Sequence, residues 1–107
     1  GLFLLAVFIL LGMAQRENAA IKRMDPAVAR GRIVFEKLSC AGCHRIHGEG
    51  MQVGPELSYE GDKRERAWLI AHFKDPPAMT PGSFMPPVRV DDKKLEDLTS
   101  YILSLKK

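Results

Sequence analysis

Thirteen residues near the start of the chain, Leu2 to Ala14 (LFLLAVFILLGMA), carry no charge, and the run stops at Gln15-Arg16-Glu17-Asn18. An apolar stretch with no polar face predicts a helix immersed in an apolar medium, not one that lays a single stripe on a core. Thirteen helical residues rise only about 20 Å against a hydrocarbon core of about 30 Å, so a full crossing needs residues upstream or continuation into Ala19-Ala20-Ile21. The competing reading is the apolar region of a secretory signal, with Gly12-Met13-Ala14 as a small-x-small cleavage site. The expectation is an uncleaved transmembrane helix and linker over residues 1–24, followed by one folded domain over residues 25–107.

From residue 25 the pattern changes to helical periodicity. Asp25-Pro26 reads as an N-cap followed by proline at the first helical position, and predicts a helix of about 13 residues to Leu38. Val28, Gly31, Phe35 and Leu38 share one face of it, while Arg30, Glu36 and Lys37 point away. Gly48-Glu49-Gly50 and Gly54-Pro55 mark an irregular loop with Leu57 as its buried residue. A second helix is expected after Gly61, with Asp62 and Glu65 spaced as a capping box and Trp68, Leu69, His72 and Phe73 on its apolar side. Pro76-Pro77 ends it and opens a rigid loop, PPAMTPGSFMPP, whose five prolines restrict the backbone. The last helix begins near Asp91-Asp92 and runs to about Leu105. Leu95, Leu98, Ile102 and Leu105 form its buried stripe with Tyr101 beside them, and Lys106-Lys107 lie where the helix dipole favours cations. No stretch alternates as a strand, so the fold class is all-α.

Between the first helix and the glycine-rich loop stands Cys40-Ala41-Gly42-Cys43-His44. C-x-x-C-H is the pattern that attaches haem covalently: the two thiols become thioethers on the vinyl groups, and the adjacent imidazole is delivered to the iron. A redox disulfide would expect a strand-helix-strand setting, which the periodicity does not offer. A zinc site from Cys40, Cys43, His44 and His47 would crowd four ligands into eight residues. Covalent haem attachment is completed outside the cytoplasm, which places the domain on the periplasmic face. Arg16, Lys22 and Arg23, read alone as positive-inside residues, argue for the opposite orientation; the haem motif is given the greater weight.

Composition narrows the partners. The chain has 107 residues and a formal net charge of +3 from 16 basic and 13 acidic side chains, with no long basic run and no aromatic interleaving. That excludes nucleic acid as the natural partner and leaves an acidic protein face or an anionic membrane surface. A domain this small, with no cysteine left for a disulfide, needs a staple, and a buried porphyrin is an apolar one.

Taken in order, a helix with Gly31 and Phe35, CAGCH, a Gly-Pro-x-Leu loop, a middle helix, a methionine-proline loop and a C-terminal helix with Leu98 and Tyr101 resemble a class I c-type cytochrome over residues 25–107. The resemblance implies a cytochrome c fold of three main helices and loops around one covalent haem c. Gly31 and Phe35 are then expected to cross Leu98 and Tyr101, and Pro55 to accept a hydrogen bond from the second ring nitrogen of His44. It also implies that the iron is held by His44 and Met85, with Met79 as the rival sixth ligand, and that Trp68 hydrogen-bonds a haem propionate. As bare residues His47 and His72 read as core or boundary histidines before they read as ligands. With both axial positions filled, the implied role is single-electron transfer without a small-molecule substrate, by a carrier and not an enzyme. A small peroxidase or gas-binding protein with an open sixth position is the enzymatic alternative. Glu56 after Pro55 and the apolar N-terminus depart from the soluble members of the family. The second departure points to a membrane-anchored carrier, expected at the inner membrane as part of a respiratory or photosynthetic complex with redox protein partners.

Overall fold

The computed structural model describes the backbone of residues 1–107 and every side chain except those of residue 14 and residues 17–23. Its helices are α1 (Leu2–Arg23), α2 (Pro26–Lys37), α3 (Arg66–Lys74), α4 (Pro76–Met79) and α5 (Asp92–Leu103), with single 3-10 turns at Cys40–Gly42 and Glu60–Asp62. Among the described residues the only extended pairing is an isolated bridge between Ile46 and Glu49, so the domain is all-α as expected.

Local chemistry fixes where α2 and α5 begin. The Asp25 carboxylate accepts from the Ala27 backbone N–H at 2.9 Å, and Pro26 occupies the first turn, where its missing N–H leaves nothing unpaired. Asp91 caps α5 in the same way, accepting from Lys94 N–H at 2.8 Å. The two helices cross at Gly31. A Cβ there would overlap the Asp97 carbonyl oxygen and come within 2.7 Å of the Tyr101 Cβ, so only glycine permits the approach. One turn on, Phe35 meets Tyr101 edge to face, with centroids 5.4 Å apart and planes at 63°. Around this crossing Phe35, Leu69, Phe73, Leu95, Leu98, Ile102 and Leu105 form the buried core.

The crossing also carries a polar clamp that the periodicity did not show. Asp97 is only 5% exposed, and its carboxylate accepts from Arg30 at 2.9 and 3.2 Å and from Lys93 at 3.3 Å. Arg30 therefore reaches across to α5 instead of pointing away. Its guanidinium holds the Asp97 carboxyl below the usual carboxylate range; burial opposes this and Lys93 assists it.

Four boundaries differ from expectation. Leu38 is the C-cap of α2, where the chain leaves the helix axis, and it is exposed. Helix α3 starts at Arg66, and no capping box forms. Glu65 makes no side-chain cap bond, while Asp62 sits in a 3-10 turn and accepts instead from the Lys107 backbone N–H at 2.7 Å. The same turn is held by Gly61 N–H donating to the Leu105 carbonyl at 2.8 Å. Helix α5 ends at Leu103 with Ser104 as its cap, so Lys106 and Lys107 belong to this tail and not to the helix terminus. Pro76 and Pro77, read as a breaker, stand in the first turn of the short helix α4, a position proline tolerates.

At the N-terminus α1 continues well past its apolar part, for about 33 Å in all. Leu2, Phe3, Leu4, Leu5, Phe8 and Leu10 are all exposed on it. Among the described residues no helix is long and apolar enough to cross a membrane. The side chains of Lys22 and Arg23, which bear on orientation, lie outside the described residues.

Two outcomes follow. Gly31→Ala must part α2 from α5, and we expect a loss of about 1–3 kcal/mol in denaturant unfolding of the loaded protein, as overpacked sites show. Because Asp97 has a folded-state pKa below its unfolded value of about 3.9, its contribution is complete above that pH and is lost as pH falls through the folded-state pKa. Asp97→Asn should therefore be less stable at neutral pH and lose less of its stability on acidification than the parent, measured as denaturation midpoints from pH 7 downward.

Candidate functional site

The site is assembled where α2 ends. Ser39 adopts a left-handed conformation (φ 57°) that turns the chain into the Cys40–Gly42 turn, closed by Cys43 N–H and His44 N–H donating to the Cys40 carbonyl at 3.1 and 2.9 Å. The two thiols are not joined to each other; Cys40 is half-buried and Cys43 exposed. Burial pushes the Cys40 thiol up to about 11, so it is held protonated.

His44 is oriented from the loop that follows. Its Nδ1 lies 2.7 Å from the Pro55 carbonyl oxygen. A carbonyl can only accept, so Nδ1 carries the proton and Nε2 keeps its lone pair, as a metal-bound histidine requires. Gly54 lies flat against the ring: a Cβ there would come 2.6 Å from Cε1. The loop is anchored in turn by Val53 N–H and Gly54 N–H, which donate to the Cys43 carbonyl at 3.0 and 2.6 Å. The motif and the residues that orient its histidine thus form one hydrogen-bonded unit.

Both cysteines and His44 open onto a cavity of about 510 Å³, within the range of roughly 300–1,000 Å³ usual for ligand and cofactor sites. Phe35, Leu98 and Ile102 from the α2–α5 crossing and Leu69 and Phe73 from α3 give it apolar walls. Met85 lines the same cavity from the proline-rich segment, where its N–H donates to Ser83 Oγ at 3.2 Å. Val88 N–H donates to the Phe73 carbonyl at 2.8 Å and ties that segment to α3. Met79 sits on α4 and is not part of the lining.

Trp68 and His72 form another wall. Their rings stack at 4.9 Å and 10°, and the Arg64 guanidinium lies 3.8 Å over the indole, a cation–π contact. His72 Nδ1 is buried without a hydrogen-bond partner, and burial lowers the ring's basicity, helped by the Arg64 guanidinium. His47 is not brought to the cavity. It has a positive φ of 48°, faces Tyr59 at 5.8 Å, and lines a separate hollow with Arg32, Glu36 and Tyr101. Among the described residues no group of three or more His, Cys, Asp and Glu could hold a metal ion, which removes the structural support for four zinc ligands. Glu56 is tied back to the loop, accepting at 2.7 Å from the Ser58 hydroxyl, which itself accepts from His47 N–H at 2.8 Å.

Sequence reasoning missed the parts of this site that act through the backbone or through stacking. Gly54 gave no side-chain signal, and Arg64 was not singled out, although its spacing of four from Trp68 and eight from His72 is visible in the sequence. The residues fit a haem. Two thiols stand at the rim of an apolar cavity, an imidazole with a free lone pair is held by a carbonyl, and a glycine leaves room for the ring.

Comparison with known proteins agrees with this reading. The chain is 32% identical over 92 residues to a nitric oxide reductase subunit of Stutzerimonas stutzeri, which covers 80% of this chain and 63% of that protein. It is 37% identical over 88 residues to the protein of the same name from Cereibacter sphaeroides, covering 78% and 56%. It is 33% identical over 86 residues to the cytochrome c oxidase subunit 2 of Alkalihalophilus pseudofirmus, covering 72% and 25%. The chain thus spans less than two thirds of the length of each of these relatives. Residues 28–106 match the cytochrome c family, and the chain belongs to that family.

Proposed function

We propose that this chain is a membrane-anchored monohaem cytochrome c that passes single electrons as one of the subunits of a respiratory redox complex. The observation that carries this reading is the meeting, in one apolar cavity, of Cys40, Cys43 and His44 with Met85. Bound haem supplies a reversible one-electron couple. Cys40 and Cys43 would hold it covalently, and His44, fixed by Pro55, would ligate its iron. Met85 would supply a second iron ligand, a soft neutral thioether that favours a higher potential than a second histidine would. Phe35, Leu98 and Ile102 keep water from the buried face, and Trp68 and Arg64 line the polar edge, where a propionate would be received. With both ligands supplied by the chain, the iron would be left to exchange electrons and not to bind a substrate.

The membrane part rests on α1, whose described large apolar side chains, among them Leu2, Phe3, Phe8 and Leu10, are exposed. The names of the relatives, subunits of a nitric oxide reductase and of a cytochrome c oxidase, support membership of a multi-subunit complex. Because covalent attachment is completed outside the cytoplasm, residues 25–107 are assigned to the outer face of the inner membrane. Tethering raises the effective concentration of the carrier at its partner, so turnover needs no tight contact between soluble domains.

In the ferric protein, Met85→Ala should abolish the weak near-infrared band of thioether-ligated iron and lower the reduction potential, whereas Met79→Ala should leave both unchanged; the reverse pattern transfers the role to Met79. For the complex, gentle detergent extraction of native membranes should bring other redox subunits out with this chain. A chain beginning at Gln15 should support slower electron transfer at equal concentration. Extraction of the haem protein alone, with the shortened form equally active, would leave a simple tethered or free shuttle.

A further inference from the structure

We propose that His72 is a reserve ligand: when Met85 is lost or displaced, an imidazole nitrogen of His72 takes the sixth position on the iron. The proposal rests on the reading of Met85 as the native sixth ligand. Apart from Cys40, Cys43 and His44, the nitrogen- or sulfur-bearing side chains on the cavity wall are Met85, His72, Lys63, Arg64 and Trp68. Guanidinium and indole offer no lone pair to a metal, and Lys63 is an exposed residue at the edge of that wall. His72 is then the one imidazole besides His44 on that wall.

Three observations place it to serve. First, Met85 and His72 arrive from adjoining pieces of chain, because Val88 N–H donates to the carbonyl of Phe73, the residue after His72. Second, His72 Nδ1 is buried without a hydrogen-bond partner, and the ring is positioned by stacking on Trp68, so it can turn without breaking a hydrogen bond at that nitrogen. Third, burial, with the Arg64 guanidinium nearby, disfavours the imidazolium, which leaves a lone pair available.

Met85 prevails in the intact protein because Pro81, Pro86 and Pro87 preorganise its segment, whereas His72 must leave its stack with Trp68 to reach the iron. The consequence is a domain that remains six-coordinate when its thioether is gone, instead of opening a site for small ligands.

The test uses the haem-loaded full chain and compares Met85→Ala, Met85→Ala/His72→Phe and His72→Phe by ferric electron paramagnetic resonance and by carbon monoxide binding to the ferrous form. Met85→Ala is expected to be low-spin with two nitrogen axial ligands and to resist carbon monoxide binding. The double variant should shift to high spin and bind the gas readily, and His72→Phe alone should keep the parental near-infrared band, showing that it folds and holds haem. A high-spin Met85→Ala that binds carbon monoxide like the double variant would overturn the proposal, as would nitrogen ligation that persists in the double variant. Retention of the parental band by Met85→Ala would instead overturn the Met85 assignment itself, and the reserve role with it.

Discussion

The missing side chain at Gly31 sets how closely α2 and α5 can approach, and the rest of the domain is built on that distance. At contact the backbone of α2 rests against the Asp97 carbonyl, which brings Phe35 onto Tyr101 and lets Leu98 and Ile102 pack behind it. Phe35, Leu98 and Ile102 are at once core residues and cavity walls, so the crossing that stabilises the domain also shapes the space for the cofactor. The Asp97 clamp to Arg30 and Lys93 holds the same crossing from its polar side. In a domain with so small a core, stability and cofactor binding are therefore difficult to separate by mutation.

The parts that hold His44 and Met85, the proposed iron ligands, lie outside the long helices. His44 is aimed by a carbonyl and backed by a glycine, and Met85 is carried on a segment stiffened by proline and tied to α3 by one backbone hydrogen bond. Such segments hold a side chain through restricted backbone freedom more than through packing, which suits a ligand that must point inward from the surface.

Much of this was legible because the relevant signals are local. The Asp25-Pro26 start, the Leu95-Leu98-Ile102 stripe and the five-residue haem motif each depend on neighbours in sequence, and each stands where the pattern puts it. What escaped depends on distant partners. Asp62 fits a capping pattern with Glu65, but the backbone N–H of Lys107, forty-five residues away, takes its carboxylate instead. Asp97 carries no local signal of burial; the approach at Gly31 buries it and Arg30 crosses to meet it. His72 reads as a boundary histidine, and only the folded wall shows that its Nδ1 has been left without a partner.

The central claim is that one haem lies in the cavity with both axial positions taken by this chain's own residues, and a single experiment addresses it. Spectroelectrochemical titration of the purified full chain, read together with its haem content and with carbon monoxide added to the reduced form, should show one haem per chain, a reversible one-electron curve and no gas binding. A chain without covalent haem, or a native reduced form that takes up carbon monoxide, would contradict the account.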